Sequence, residues 1–280
     1  MSGFLDEMAS LSAARVAEAQ TRESFALLEQ RARAMPPAAR LQLSPLGFDV
    51  IAELKLRSPA AGQLGEPSDD WLKRVTAYAQ GGAAAVSVLT EPARFDGSLE
   101  HLRLACAALK PFDVPAMRKD FLVDPYQVLE ARAAGAGGVL VIVRMLSRTQ
   151  MTQLLDVAAE FQLFVLLEAF DGADLAAARE LLAARSGRRT AGSADDILVG
   201  INSRDLQTLK VVPQRFEVLA PLLPGDRPAV AESGVAGAAD AARMMRLGYR
   251  VALIGTALMS CDDPARLLRE ILATTRTVPL

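Results

Sequence analysis

The chain has 280 residues, 51% of them hydrophobic and 23% charged, with a formal net charge of −2. This is an ordinary globular composition, long enough for one large α/β domain or two small ones. It offers no basic field for nucleic acid and no block of like charge for a solvated tail, and at 5% aromatic it has few rings for stacking on single strands.

The opening, MSGFLDEMAS, has early acids and no basic stretch ahead of an apolar run, so no signal peptide is expected. A helical stretch around Ser24 to Ala34 and a Pro- and Leu-rich loop precede the first strand. Residues 1–49 are expected to form an N-terminal extension, too short for a core of their own. Eight short apolar runs then follow: VIAEL (Val50–Leu54), AVSVL (Ala85–Leu89), PAMRK (Pro115–Lys119), VLVIV (Val139–Val143), FVLLE (Phe164–Glu168), LVGIN (Leu198–Asn202), AVAES (Ala229–Ser233) and VALIG (Val251–Gly255). Helix-patterned segments such as DPYQVLEARAAGA and AGAADAARMMRLGY lie between them. Gly81, Gly135 and Gly248 read as helix C-caps, and Asp124-Pro125 as an N-cap with proline in the first helical position.

Strand–helix units at spacings of roughly 20 to 35 residues fit a (β/α)8 TIM barrel. An open, doubly wound sheet shares the same alternation. Continuous rather than alternating apolar strands fit a parallel sheet covered on both faces in either case. The expected layout is one barrel domain over residues 1–280, with 1–49 as its extension. ARSGRRTAGSADD (Ala184–Asp196) reads as a polar loop before the sixth strand. The apolar run in GGVLVIV is far too short to span a membrane.

Charged and polar residues collect where these strands end. Glu53 and Lys55, two apart, share a strand face; Lys119 and Phe121, then Asn202 and Arg204, repeat that spacing, and Glu168 ends the fifth strand. An open sheet spreads such groups along its edge. A closed barrel gathers them at its C-terminal face, where sites in this fold lie. Taken singly, each could be a rim ion pair. Taken together, they describe a polar mouth in which neighbouring lysines and glutamates shift each other's pKa values. Ser233-Gly234 and Gly255-Thr256 follow the seventh and eighth strands, the usual phosphate-binding position of such barrels. LRSPAAGQLGEPSDD after the first strand is either a lid or a long exposed loop.

Other chemistries are excluded by what is missing. The single histidine, His101, sits in a predicted helix and reads as a packing residue; with two scattered cysteines, Cys106 and Cys261, it makes no zinc ligand set. There is no G-x-S-x-G elbow and no G-x-G-x-x-G fingerprint.

The segments IAELKLRSP, GGAAAVSVLTE with FDGS, MRKDFLVDPYQVLEARAAGA, GINSRDL, AESG and LIGTALM, in order from about Ile51 to Met259, resemble the indole-3-glycerol phosphate synthase family of tryptophan biosynthesis. That resemblance implies a TIM barrel with extra N-terminal helix, no cofactor or metal, and a small phosphorylated substrate; the composition itself suggests no nucleic-acid or membrane partner, and the two cysteines, outside any C-x-x-C spacing, read as reduced thiols in a cytoplasmic protein. The resemblance leaves association with other tryptophan-pathway enzymes open. By resemblance, Lys119 is the general acid at the ribulose carbonyl and Glu168 the acid/base that assists loss of the hydroxyl. Glu53 and Lys55 resemble a substrate-positioning pair that can share in the dehydration. Asn202 and Arg204 resemble groups holding the hydroxyl and carboxylate region, and Ser58 a polar contact. Ser233, Gly234, Gly255 and Thr256 resemble the phosphate cradle. Phe95, Phe121, Leu140, Leu206 and Leu253 resemble the apolar wall around the anthranilate ring. The chain departs from the family pattern at Ser58-Pro59-Ala60, where Ser-Pro-Ser is usual, and at Arg94, where an aromatic is common. A paralogous phosphosugar barrel, such as phosphoribosylanthranilate isomerase, and a non-catalytic barrel subunit are the competing readings.

Overall fold

A computed structural model describes residues 3–58, 62–63, 71–186, 196–206 and 208–276. Eight parallel strands close into a barrel: β1 (Asp49–Leu54), β2 (Ala85–Leu89), β3 (Ala116–Lys119), β4 (Gly138–Ile142), β5 (Phe164–Ala169), β6 (Ile197–Asn202), β7 (Ala229–Glu232) and β8 (Val251–Ile254). Each pairs with its neighbours in sequence, and β1 closes the cylinder against β8, with Ile51 opposite Leu253. The open-sheet alternative is therefore excluded.

Every strand is buried along its length except at the end of β3, because both of its faces are covered. The two-residue strand period separates two cores. Ile51, Ala85, Met117, Leu140, Leu166, Leu198, Val230 and Leu253 point inward and fill the cylinder. Their neighbours, such as Val50, Val86, Val139, Val165 and Val199, point outward into the helical layer. That layer comprises α3 (Trp71–Gln80), α4 (Leu99–Leu109), α5 (Pro125–Ala133), α6 (Arg148–Glu160), α7 (Gly172–Ser186), α8 (Gln214–Leu219), α9 (Ala238–Arg246) and α10 (Pro264–Thr275), one after each strand.

Local signals explain several boundaries. Asp124 caps α5 by accepting from the Tyr126 amide at 2.8 Å, and Pro125 occupies the first helical position, as expected. Gly135 and Gly248 adopt left-handed backbone, at φ +95° and +93°. At the end of α3 it is Gly82, at φ +90°, that does so rather than Gly81. Gly81 is required for a different reason: a Cβ there would lie 2.9 Å from Ala265 Cα in α10.

The N-terminal segment holds more helix than the sequence pattern predicts. Besides α2 (Phe25–Ala34), close to its expected bounds, it contains α1 (Phe4–Arg22), the longest helix described at 19 residues. The buried residues of α1 are only Met8, Ser12 and Val16, a stripe one residue wide and polar at its centre. Val16 packs with Leu28 and Ala32 of α2 against Tyr126, Leu129 and Ala133 of α5. Met8 reaches the inward core of the barrel. The helix thus runs from the barrel mouth down to α5.

Beyond β1, Arg57–Ser58 pairs with Gly62–Gln63 as a minimal antiparallel hairpin. The rest of the expected lid, 59–61 and 64–70, lies outside the described residues, as does most of the loop before β6. Helix α7 extends to Ser186 and so takes in the start of that loop. No described helix is long and apolar enough to cross a membrane.

Candidate active site

The strand-end groups meet as the spacing rule predicts. Lys55 Nζ donates to Glu53 Oε1 at 2.8 Å, so the two residues do share a face. Lys119 Nζ lies 3.6 Å from Glu53 Oε2 and 3.7 Å from Glu168 Oε2, linking β1, β3 and β5 across the cylinder. Glu53 and Glu168 are almost wholly buried. Gly255 makes room for this arrangement, since a Cβ there would fall 2.4 Å from Glu53 Oε1.

All of these groups open into one cavity of about 500 Å³ at the C-terminal mouth. Asn202 and Arg204 enter it from β6; the Arg204 guanidinium also donates to the Leu209 carbonyl at 2.7 Å, and Asn202 Oδ1 accepts from the Arg204 amide at 2.9 Å. Ser233, Gly234, Gly255 and Thr256 line the same cavity. Ser233 and Gly234 are both left-handed, at φ +66° and +88°, which bends the chain sharply after β7. The apolar lining includes Phe95, Phe121, Leu140, Leu206 and Leu253. The rings of Phe95 and Phe121 sit 6.2 Å apart. Of the expected site residues, Ser58 alone has a side chain outside the description; its backbone is in the hairpin beside the mouth.

Three contributors went unrecognised in the sequence. Glu232 ends β7, lines the cavity and is buried, and neither of its carboxyl oxygens has a hydrogen-bond partner among the described residues. A Cβ at residue 200 would fall 2.1 Å from Glu232 Oε1, so Gly200 on β6 makes room for that carboxyl. The signal is in the sequence, because Glu232 stands at a strand end as Glu168 does. Phe4 and Leu5 of α1 also line the cavity, with Phe4 edge-on to Phe121 at 5.8 Å.

The electrostatics follow from three glutamates sharing two lysines in a buried space. Burial pushes the Glu53 carboxyl up, but Lys55 and Lys119 outweigh it and hold it below the usual range. Burial lowers the Lys119 ammonium, yet Glu53, Glu168 and Glu232 overcome that and raise it. Glu232 moves the other way: burial, then the nearby Glu168 carboxyl, lift it well above its ordinary value, against the pull of Lys119. The mouth therefore pairs a firmly protonated ammonium and an ionised Glu53 with a carboxyl driven toward its acid form, the separation of protonation states used for acid and base chemistry.

The remaining candidates lie elsewhere. His101 packs edge-on to Trp71 at 5.2 Å. The Cys106 thiol is pushed up to about 12 by burial, and neither cysteine lines the cavity.

The model of the family described as indole-3-glycerol phosphate synthase matches residues 5–271. Relatives carrying that name include one from Nocardioides sp., 45% identical over 80% of this chain and 80% of its own length. Another, from Kineococcus radiotolerans, is 38% identical over 88% and 86%. Among solved structures, 3-hexulose-6-phosphate synthase from Salmonella typhimurium superposes with a TM-score of 0.60 at 14% identity, over 81% of this chain and 98% of that one. At that identity the likeness concerns the barrel alone.

Proposed function

The chain belongs to the indole-3-glycerol phosphate synthase family of carboxy-lyases in tryptophan biosynthesis, and we propose that the cavity at its barrel mouth performs that reaction with the residues now described. The reaction closes the indole ring of 1-(2-carboxyphenylamino)-1-deoxyribulose 5-phosphate, with loss of carbon dioxide and water.

Ser233, Gly234, Gly255 and Thr256 hold the phosphate, far from the reacting atoms. The aryl ring lies among Phe95, Phe121, Leu140, Leu206 and Leu253, which brings its carboxylated carbon to the ribulose carbonyl. Arg204 receives the aryl carboxylate and Asn202 a sugar hydroxyl, with Ser58 as a further polar contact. As the ring carbon attacks, the carbonyl oxygen gains charge and takes a proton from Lys119. Loss of carbon dioxide returns the C–C bonding pair to the ring and restores aromaticity. The new hydroxyl takes a proton from Glu168 acting as acid and leaves as water, while a C–H proton on the adjacent carbon goes to the Glu53 carboxylate of the Glu53–Lys55 pair.

One observation carries this reading. Lys119 is held between Glu53 and Glu168, within 3.7 Å of each, in the cavity that the two phosphate-turn segments also line. A pre-placed ammonium at a developing alkoxide needs little reorganisation when charge appears there, which is how such groups accelerate reactions. We also infer one barrel domain with residues 1–49 as its extension, working in the cytoplasm. The test is to incubate the purified protein with the carboxyphenylamino ribulotide and follow indole fluorescence. Indole-type emission with loss of substrate is expected; unchanged substrate overturns the reading.

A further inference from the structure

We propose that Arg15 of α1 is a positioning residue for ring closure: it grips Asp120 and so fixes the flanking Lys119 and Phe121 in the cavity. The proposal rests on the reading of Lys119 and Phe121 given above.

Arg15 lies outside the barrel in sequence and in space, yet its guanidinium reaches two buried carboxylates at the rim of the mouth. Nη2 is 2.7 Å from Asp120 Oδ1, and Nη1 is 3.3 Å from Glu91 Oε1. Both carboxylates are essentially inaccessible to solvent, whereas Arg15 keeps 28% of its side chain exposed. The cation therefore comes from the N-terminal extension and the anions from the ends of β2 and β3. Helix α1 docks at a second point, where Gln127 Nε2 donates to the buried Ser12 Oγ at 2.8 Å.

Asp120 gives the contact its reach. It follows Lys119 directly and precedes Phe121. The Oδ1 that accepts from Arg15 also accepts from the Phe121 amide at 2.8 Å, while Oδ2 takes Thr90 Oγ1 at 2.8 Å and Arg118 Nη2 at 3.1 Å. Arg15 thus acts on the same oxygen that sets the backbone of the ring-wall residue. Phe4, eleven residues back on α1, touches the Phe121 ring from the cavity side. The segment 119–121 is pinned at its carboxylate and at its ring by one helix.

The contacts that remain make the variant informative. Without Arg15, Asp120 keeps Arg118, Thr90 and the Phe121 amide. Glu91 keeps the amides of Ala93 and Arg94. No buried carboxylate is orphaned, so the barrel is expected to fold. Misplacement of a reacting group by about an ångström costs up to ~10²-fold, whereas the phosphate turns lie on β7 and β8, away from α1.

The experiment compares Arg15→Gln, Arg15→Lys and wild type, with Arg22→Ala as a control on the same helix, where Arg22 makes an exposed pair with Glu18. Arg15→Gln is expected to lower kcat by about tenfold to a hundredfold, with competitive inhibition by inorganic phosphate unchanged. Arg15→Lys and sub-denaturing guanidinium added to Arg15→Gln should each restore part of the loss, and Arg22→Ala should match wild type. Unchanged kcat in Arg15→Gln, or weaker phosphate inhibition in proportion to lost kcat, overturns the proposal. Hydrogen exchange separates it from the activity assignment: the Phe121 amide should lose protection in Arg15→Gln while β7 and β8 amides do not, whether or not the ribulotide turns over. Exchange unchanged at Phe121 also overturns it.

Discussion

The two ends of the barrel handle buried charge in opposite ways. At the N-terminal end, Asp49 opens β1 and is buried, accepting from the Ser44 amide at 2.8 Å and from the Arg276 guanidinium beyond α10. That is one carboxylate with its own donors and no second carboxylate competing for them, although burial still outweighs them and holds it above its usual range. At the C-terminal end, Glu53, Glu168 and Glu232 compete for Lys55 and Lys119, and the Glu232 carboxyl has no hydrogen-bond partner among the described residues. A satisfied pair locks a fold together. An unsatisfied set costs stability and leaves its protonation free to respond to a ligand. The same cylinder thus carries a structural end and a reactive end, and substitutions should sort accordingly.

The largest effect is expected at Lys119. Lys119→Ala removes the cation shared by three carboxylates and with it the acid proposed for the carbonyl, so turnover should fall by roughly 10²–10⁴-fold or more. Binding of inorganic phosphate should persist, because the β7 and β8 turns are untouched. Steady-state kinetics with phosphate as competitive inhibitor checks both. Near-wild-type turnover would remove Lys119 from its role and erase the distinction between the two ends.

Arg276→Ala probes the structural end. Among the described residues it leaves Asp49 with the Ser44 amide as hydrogen-bond donor and the charge of Arg250 nearby, and it also removes the bond from Arg276 Nε to the Phe48 carbonyl at 3.2 Å. Because Arg276 is 29% exposed, the loss should be discounted to about 1–3 kcal/mol in unfolding free energy. Urea titration should show this fall with kcat unaltered. A variant of wild-type stability, or one that folds normally but turns over slowly, would contradict the assignment of this pair to structure.

How far the sequence discloses the molecule follows the same division. The strands were legible because burial on both faces demands unbroken apolar runs, and all eight lie within a residue or two of their expected bounds. Closure was legible only indirectly, from strand-end charges that need a common centre. Helix α1 was not, since Ser12 interrupts its narrow buried stripe and is satisfied by Gln127, a partner 115 residues away. Arg15 was hidden for the same reason: its value depends on carboxylates from β2 and β3 loops that only the fold brings near. Glu232 was legible on the same ground as Glu168, since both are acids at the end of an apolar strand.

That residue offers the finest test of the comparison. Unfolded, Glu232 ionises near its ordinary value of 4.5; folded, burial and Glu168 hold it well above that. Between those two values the native chain carries a proton that the unfolded chain has lost. Stability from this group is therefore present below about pH 4.5 and declines as pH rises toward the folded value. Each unit of elevation contributes about 1.4 kcal/mol to the decline. Glu232→Gln keeps the shape that Gly200 accommodates and cannot ionise, so it should show no such decline. Its advantage over wild type should widen from pH 5 to pH 8 in urea unfolding. Parallel stability curves for the two proteins would mean that burial beside Glu168 costs the third carboxylate of the mouth nothing, and the contrast between the two ends would fail.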